Sequence, residues 1–308
     1  MHHVAANNPW IGVRGVALED LQRRRVPMDE PATKWPTSAP DRHQGPTLEL
    51  LAEVRARLLG EPGWAWLSFG ASSAGDANAM CGAAWNLFTA LCCPIAQYSS
   101  GELACFVEVA EGGAGATHYS NSNRDGAFHT DGTLLETAPD VVGLFCLSHA
   151  DQGGDTVLID IQRLLRDAEL HSYSALLGRA HTFSSIEPAR GCIQSQTNPI
   201  LTLDPPRIRY LRLYLEDDYR NRDQQLPREL REAMDVLDRL AADPEHQLAM
   251  PLRPGQVLLW DNRRFLHGRR AFAERERRRR LARFYGVWSS SGKCERIFVA
   301  GTPRASNP

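Results

Sequence analysis

The segment FHTDGT at residues 128–133 contains a His-x-Asp pair on which the interpretation of the whole chain depends. Side chains alternate between the two faces of an extended strand, so His129 and Asp131 point the same way and can bind one metal ion. Far downstream, His267 supplies a second imidazole. Two histidines and one carboxylate form a facial triad, which leaves coordination positions open on one side of a non-haem Fe(II). A His-x-Asp pair also occurs in ordinary surface loops, so the neighbouring motifs decide between the two interpretations.

Three further motifs accompany this pair. GGDT at 153–156 has two glycines that allow a tight turn and a close backbone approach. A plain hairpin turn explains those glycines but not the hydroxyl that opens the next strand. WDNRRFLHGR at 260–269 follows an apolar strand, and RRLARFYGVW at 279–288 reads as a strand near the C-terminus. In that last strand every second residue from Arg279 to Arg283 lies on one face.

In this order, the motifs resemble those of the taurine dioxygenase and clavaminate synthase superfamily. Its members are Fe(II)- and 2-oxoglutarate-dependent oxygenases. The matching blocks run from about Tyr119 to Trp288, which is over half of the chain. The resemblance implies a mainly β fold with flanking helices, built on a double-stranded β-helix (jelly-roll) core whose metal site opens at one end of the barrel.

The resemblance also implies roles for individual residues. His129, Asp131 and His267 would be the iron ligands. Thr156 and Arg279 would hold the distal carboxylate of 2-oxoglutarate, while the keto acid chelates the metal through its other end. The chemistry suits these residue types, because a planar guanidinium matches a carboxylate with two parallel hydrogen bonds and a hydroxyl can supply a third.

Arg283 lies on the same inward face as Arg279. In similar enzymes an arginine at this place binds either the cosubstrate or an acidic group on the substrate. The preceding run, ERERRRR at 274–280, is rich in arginine. A register shift of one residue would therefore give the carboxylate-binding role to Arg278 or Arg280.

The reaction type follows from Asp131 and the implied cofactors. Related halogenases have a small residue in place of this carboxylate, so halogenation is not expected here. With Fe(II), 2-oxoglutarate and O2, the expected reaction oxidises an unactivated C–H bond while the cosubstrate becomes succinate, because metal and cosubstrate carry the hard chemistry. Hydroxylation is the simplest outcome. Desaturation, epoxidation and cyclisation use the same oxidant and stay open.

The segment just before the metal motif carries the expected substrate contacts. Asn121, Asn123 and Arg124 would line the pocket mouth with amide and guanidinium groups. Such groups fit a small polar substrate, such as an amino acid that is free or carrier-bound. Alternatively, they satisfy the backbone of their own loop. High Arg, Ala and Gly with little Lys favours a GC-rich bacterial source, in which such enzymes often act in secondary metabolism.

Composition argues against other classes of protein. The net charge is −2, with 35 basic and 37 acidic residues, so no global field favours nucleic acid or an anionic membrane. No stretch reaches the ~20 apolar residues of a membrane span, and no signal-peptide pattern is present. Seven irregularly spaced cysteines favour free thiols in a reducing cytoplasm over a disulfide framework.

Periodicity predicts the coarse organisation. We expect an irregular N-terminal arm over residues 1–45 and a single jelly-roll domain over 46–308, with a helical insert around 161–245. Expected helices are 47–59, 76–91, 161–177 and 227–242, and expected strands include 63–69 and 103–110. The segment 111–115 is expected to be a flexible loop.

Two other functional classes remain open at this stage. A zinc-dependent hydrolase also uses sets of two histidines and one aspartate, but it gives no role to Thr156 and Arg279. A non-catalytic jelly-roll binding protein would have no need for an intact set of metal ligands.

Overall fold

The computed structural model describes residues 10–38, 43–70, 74–109, 125–187, 192–273 and 278–288, which form a sheet-rich fold with several helices. The strands are β1 (Ile11–Gly12), β2 (Trp64–Ser68), β3 (Cys93–Pro94), β4 (Ala104–Val107), β5 (Val141–Ser148), β6 (Gln152–Gly153), β7 (Thr156–Asp160), β8 (Ala180–Glu187), β9 (Cys192–Pro199), β10 (Leu201–Leu203), β11 (Pro206–Ile208), β12 (Gln247–Met250), β13 (Gln256–Asp261), β14 (Phe265–Arg269), β15 (Phe272–Ala273) and β16 (Arg280–Val287). The helices are α1 (Gly15–Gln22), α2 (Gly45–Leu59), α3 (Ala74–Leu91), α4 (Ile161–Leu164), α5 (Ala168–Ser172), α6 (Ser174–Leu177), α7 (Arg212–Asn221) and α8 (Arg228–Ala242), with short 3-10 helices at Ala32–Lys34 and Pro244–His246.

A seven-stranded major sheet has the order β1-β2-β13-β5-β16-β3, with β4 also paired to β16. Strands β5 and β13 lie at its centre and are buried along almost their whole length. Burial on both faces explains why their sequences are continuous apolar runs instead of alternating patterns. One face packs against α1, α2 and α3, and the other faces a layer that includes Met250 and Phe265.

A smaller sheet of order β12-β7-β14 provides the second layer. The segment before β5 extends this sheet, because His129 and His267 exchange two backbone hydrogen bonds of 3.0 and 2.8 Å. The N–H of Gly126 continues the pairing by donating to the carbonyl of Arg269 at 2.8 Å. The metal motif therefore lies beside β14 in the ladder.

Helix predictions succeed where the apolar spacing is regular. Helices α2, α3 and α8 agree with the predicted 47–59, 76–91 and 227–242 within three residues, and the strands at 63–69 and 103–110 are present as β2 and β4. Helix α2 begins two residues earlier than predicted, so its cap position is Gln44 and Thr47 is buried inside the first turn.

The helix predicted at 161–177 is wrong as a single element, because it is divided into α4, α5 and α6. The side chain of Asp167 accepts hydrogen bonds from the backbone N–H groups of Glu169 and Leu170 and so starts a new helix. Aspartate favours such caps over helix interiors. The insert at 161–245 is also not purely helical, since it contains β8 to β11.

The irregular arm predicted for residues 1–45 is wrong over its described part. Val13, Ala17 and Leu21 follow helical spacing and are buried in the cluster beneath the major sheet. Trp35 is also buried there, and its indole N–H donates to the carbonyl of Pro27 at 3.1 Å. The high Pro and Arg content of this segment concealed a small set of core residues.

Two further expectations concern cysteines and loops. Cys81, Cys92, Cys105, Cys146 and Cys192 are free thiols, whereas Cys93 is disulfide-bonded, so the expectation of free thiols is wrong for that residue. The loop at 111–115 lies outside the described residues. Among the helices described, none combines the length and apolar character needed to cross a membrane.

Packing of α1 gives a stability prediction. Leu21→Ala should lower the free energy of unfolding by about 2–5 kcal/mol, because a fully buried leucine leaves a cavity. Val16→Ala on the same helix is the matched control, since Val16 is 43% exposed and its loss should cost less than about 0.5 kcal/mol. Denaturant unfolding measures both. Equal values for the two variants would mean that α1 does not belong to the core.

Candidate metal centre

The three predicted metal ligands meet at one point. One nitrogen or oxygen atom from each of His129, Asp131 and His267 lies within 4.8 Å of the others. His129 Nε2 is 3.7 Å from Asp131 Oδ1, and His267 Nε2 is 3.5 Å from Asp131 Oδ2. This proximity follows from the ladder, because the backbone pairing of the two histidines places their rings on one face.

These donors fit a divalent transition metal. Asp131 and His267 are only 4% and 7% exposed, and Asp131 Oδ2 is buried with no hydrogen-bond donor among the described residues. A buried carboxylate oxygen without a hydrogen-bond donor costs folding free energy unless a nearby cation compensates its charge. Two imidazoles and one carboxylate on one side leave room for further ligands from the cavity.

Backbone and side-chain contacts fix the orientation of the donors. His129 Nδ1 lies 2.7 Å from the carbonyl of Ala127, which requires the proton on Nδ1 and leaves the Nε2 lone pair for a metal. The N–H of Asp131 donates to Asn262 Oδ1 at 2.9 Å, and Asn262 Nδ2 donates to the carbonyl of Asp131 at 3.1 Å. Asn262 thus holds the loop that carries the carboxylate.

Thr130, between the two ligands, faces away from them. Its hydroxyl accepts from the N–H of Tyr210 at 2.9 Å, and its own N–H donates to the Tyr210 carbonyl at 2.8 Å. The alternation expected from the sequence is therefore present: the two ligands face the cavity, and the residue between them joins the motif to the segment before α7.

Electrostatics favour the metal-binding protonation states of the two buried candidate ligands, Asp131 and His267. Burial by itself raises the pKa of the Asp131 carboxyl, but Arg283 and the two histidines more than reverse this, so the pKa lies well below its ordinary range. Burial, together with the nearby His129, lowers the pKa of His267 to about 3. The aspartate is therefore ionised and the imidazole neutral, as metal coordination requires.

A cavity of about 340 Å³ opens beside the three donors. Thr156, only 2% exposed, lines it at the start of β7. Arg279 lines it as well, is 5% exposed, and donates from Nε to the carbonyl of Gly154 at 3.2 Å. The predicted pair for the cosubstrate carboxylate is thus brought together at one wall.

The arginine register agrees with the sequence interpretation. Arg279, Leu281 and Arg283 all line the cavity. Arg280, in contrast, lies 3.3 Å from Glu108 and stacks over Phe106, while Arg278 is exposed.

Arg283 is deeply engaged with the site. It donates from Nε to Gln97 Oε1 at 2.8 Å and from Nη1 to Asp131 Oδ1 at 3.3 Å. Its Nη2 lies 3.3 Å from the hydroxyl of Tyr98. The contact with Asp131 was not expected from the sequence, because nothing local relates residues so far apart in the chain.

Asn121, Asn123 and Arg124 lie outside the described residues. Gln97, Tyr98 and the lining residues Gln194, Tyr214 and Arg269 were missed by sequence analysis. Only Arg269 carried a local signal, since it follows His267 by two residues and so shares its face.

The chain is similar in sequence to two known dioxygenases. The chain is 30% identical over 188 residues to uridine-5'-phosphate dioxygenase of Amycolatopsis sp, covering 58% of this chain and 62% of that protein. It is 29% identical over 164 residues to trimethyllysine dioxygenase of Meyerozyma guilliermondii, covering 51% and 41%. The chain therefore spans less than two thirds of the length of each of these relatives.

Solved structures show the fold more completely. Asparagine oxygenase in complex with Fe(II), 2S,3S-3-hydroxyasparagine and succinate matches with a TM-score of 0.66 at 16% identity, over 91% of this chain and 94% of that chain. The non-haem iron oxygenase OrfP in complex with Fe, succinate and (3S)-hydroxy-L-Arg matches with a TM-score of 0.65 at 13% identity, over 92% and 95%.

A family model extends this likeness to the sequence. The model described as taurine catabolism dioxygenase TauD, TfdA family matches residues 93–285. That range includes the three candidate metal ligands and the three arginines of the described cavity lining. Because the match covers well over half of the chain, the protein belongs to the TauD/TfdA dioxygenase family.

Proposed function

We propose that this protein is an Fe(II)- and 2-oxoglutarate-dependent oxygenase that hydroxylates an unactivated C–H bond of a small, polar, amino-acid-like substrate. The observation that carries the proposal is the convergence of His129, Asp131 and His267 on a cavity whose wall also presents Thr156 and Arg279. We also propose that the two sheets form the double-stranded β-helix core implied by the family.

In this proposal His129, Asp131 and His267 would hold Fe(II) beside the cavity. The bound metal and 2-oxoglutarate supply the oxidising chemistry: one atom of O2 enters the substrate as a hydroxyl, the other enters succinate, and CO2 is released. Protein side chains need not transfer protons. Their tasks are to position substrate and cosubstrate and to exclude water.

Thr156 and Arg279 are assigned to the distal carboxylate of 2-oxoglutarate. Both are almost fully buried, and a charge-assisted hydrogen bond is strongest where water is excluded. Gly154 supports this assignment, because a Cβ there would lie 3.0 Å from Arg279 Cδ. The absence of a side chain at this position allows Arg279 to pack against the turn.

Arg283 is assigned to the substrate side. It lies four residues beyond Arg279, roughly 13 Å along an extended strand, too far for both to hold one terminal carboxylate. Three of its nitrogens already contact Gln97, Asp131 and Tyr98, yet each Nη carries a second N–H. We propose that these donors bind an acidic group of a substrate such as a free or carrier-bound amino acid.

Amino-acid-like substrates are supported by two solved neighbours. Asparagine oxygenase was solved in complex with 3-hydroxyasparagine, and OrfP was solved in complex with (3S)-hydroxy-L-Arg. A screen should also include phosphate-bearing compounds, because one relative is a uridine-5'-phosphate dioxygenase. Succinate release that depends on the added compound, together with product masses, would identify the substrate, and a gain of one oxygen would establish hydroxylation.

The metal site gives a direct prediction. Anaerobic addition of Fe(II) and 2-oxoglutarate to metal-free protein should produce a weak visible charge-transfer band, because the open face admits a bidentate keto acid. Asp131→Ala should lose both the band and activity, since it removes the only anionic protein ligand in the described triad. Absorption spectroscopy measures the band. Its absence from the wild type, with zinc retained through purification, would favour a zinc hydrolase instead.

The two inward arginines give a second prediction. Arg279→Ala should raise the KM for 2-oxoglutarate steeply, because loss of one partner from a buried charge pair costs on the order of 2–5 kcal/mol. Arg283→Ala should weaken the binding of the primary substrate more than the binding of 2-oxoglutarate. Michaelis constants for both compounds in each variant separate these effects.

Arg280→Ala is the matched control for this pair, since Arg280 faces away from the cavity and should leave both constants near the wild-type values. If Arg279→Ala had no effect while Arg280→Ala lost most of the activity, the carboxylate-binding role would belong to Arg280 and not to Arg279. If Arg283→Ala affected both constants equally, the two arginines would share the cosubstrate.

A further inference from the structure

We propose that Arg269 is a third donor to the distal carboxylate of 2-oxoglutarate, beside Thr156 and Arg279. This inference rests on the proposed function and extends it to a residue that neither the motifs nor the comparisons single out. It concerns how tightly this chain holds its cosubstrate and how strictly it requires the distal carboxylate.

Strand register places Arg269 at the cosubstrate wall. Arg269 is the last residue of β14 and lies two residues after His267, so the two side chains leave the same face. On the neighbouring strand its Cα partner is Thr156. Directly paired residues of an antiparallel ladder have Cβ atoms about 5 Å apart, so the arginine and the threonine are side-chain neighbours. Both line the same cavity.

Phe272 gathers the two guanidinium groups at this wall. The Cζ of Arg269 lies 5.0 Å from the centre of the Phe272 ring, and the Cζ of Arg279 lies 5.5 Å from it. The two guanidinium groups therefore lie close together at one wall of the cavity. A dianion such as 2-oxoglutarate, with its distal carboxylate at this wall, would meet both positive charges.

The geometry of Arg279 leaves a place for another donor. Its Nε donates to the Gly154 carbonyl, so Arg279 would bind a carboxylate through its two Nη atoms. A carboxylate has about four lone-pair sites on two oxygens. The Arg279 fork and the Thr156 hydroxyl supply three donors, and Arg269 supplies the fourth.

The surroundings of Arg269 agree with this role. Its side chain is half-buried at the cavity wall, and the Asp125 carboxylate lies nearby. The Asp125 carboxylate in turn accepts a hydrogen bond of 2.6 Å from the N–H of Ala271. A half-buried guanidinium gains from an anionic ligand, because ligand binding offsets the cost of partly removing its charge from water.

The test is equilibrium binding of 2-oxoglutarate to protein loaded with Mn(II), by calorimetry without turnover. Arg269→Gln should weaken binding by about tenfold or more, the usual value of a hydrogen bond to a charged group. Arg269→Lys, which keeps the charge, should recover part of the loss. Mn(II) affinity, measured separately, should stay at the wild-type value in both variants.

Arg270→Gln is the matched control. It removes the same charge from the adjacent residue, which is not part of the cavity lining, and its N–H donates to the Asp155 carbonyl at 3.0 Å regardless of side chain. We expect wild-type affinity for 2-oxoglutarate in this variant. A loss equal to that of Arg269→Gln would reduce the effect to general electrostatics and overturn the proposal.

Pyruvate separates the two ends of the cosubstrate, because it keeps the keto acid and lacks the distal carboxylate. Arg269→Gln should leave the affinity for pyruvate unchanged. An equal loss for both keto acids, or wild-type affinity for 2-oxoglutarate in Arg269→Gln, would overturn the role of Arg269. If the wild type itself failed to bind 2-oxoglutarate, the proposed function would fail with it. If binding fell in Arg279→Ala but not in Arg269→Gln, only this inference would fail.

Discussion

The backbone pairing of His129 with His267 is the interaction on which the site depends. Two hydrogen bonds of 3.0 and 2.8 Å join segments far apart in the chain into one ladder. Alternation along each segment then places Asp131 beside one imidazole and Arg269 beyond the other. The major sheet supplies the opposite wall through β16. Without this pairing, the ligands would be separate residues on two loops, and metal binding would have to order them at a large cost in conformational entropy.

Charge balance imposes the second constraint. The described cavity lining contains three arginines and one carboxylate, Asp131. Arg283 contacts that carboxylate, and Gln97 and Tyr98 hold the same guanidinium in place. The arrangement lowers the pKa of Asp131 and keeps it ionised before any metal arrives. It also leaves the cavity with an excess of positive charge, which suits a doubly negative cosubstrate and an acidic group on the substrate.

Local patterns predicted the parts of the molecule that local chemistry determines. Strand alternation acts over two to four residues, so it placed His129 with Asp131 on one face and Arg279 with Arg283 on another, whereas the roles of His267 and Thr156 were implied by the family resemblance. The core role of Leu21 and Trp35 was missed, since a segment rich in Pro and Arg has an average composition that hides single buried side chains. The break at Asp167 was missed because a capping side chain and a helical one look alike in a periodicity count. The Arg283 contact with Asp131 is set by tertiary packing alone.

The glycines of the motifs show why part of the site geometry can be inferred from the sequence. Gly153 has a φ of +73°, and a Cβ there would lie 2.3 Å from the Ala271 carbonyl oxygen. At Gly268 a Cβ would lie 2.7 Å from the ring of Phe128, which precedes the first metal ligand. Each glycine therefore marks a place where two strands approach too closely for a side chain. These close contacts between strands bring Thr156, His267 and His129 to one cavity. The positions of the glycines beside these polar residues therefore indicate the geometry of the site.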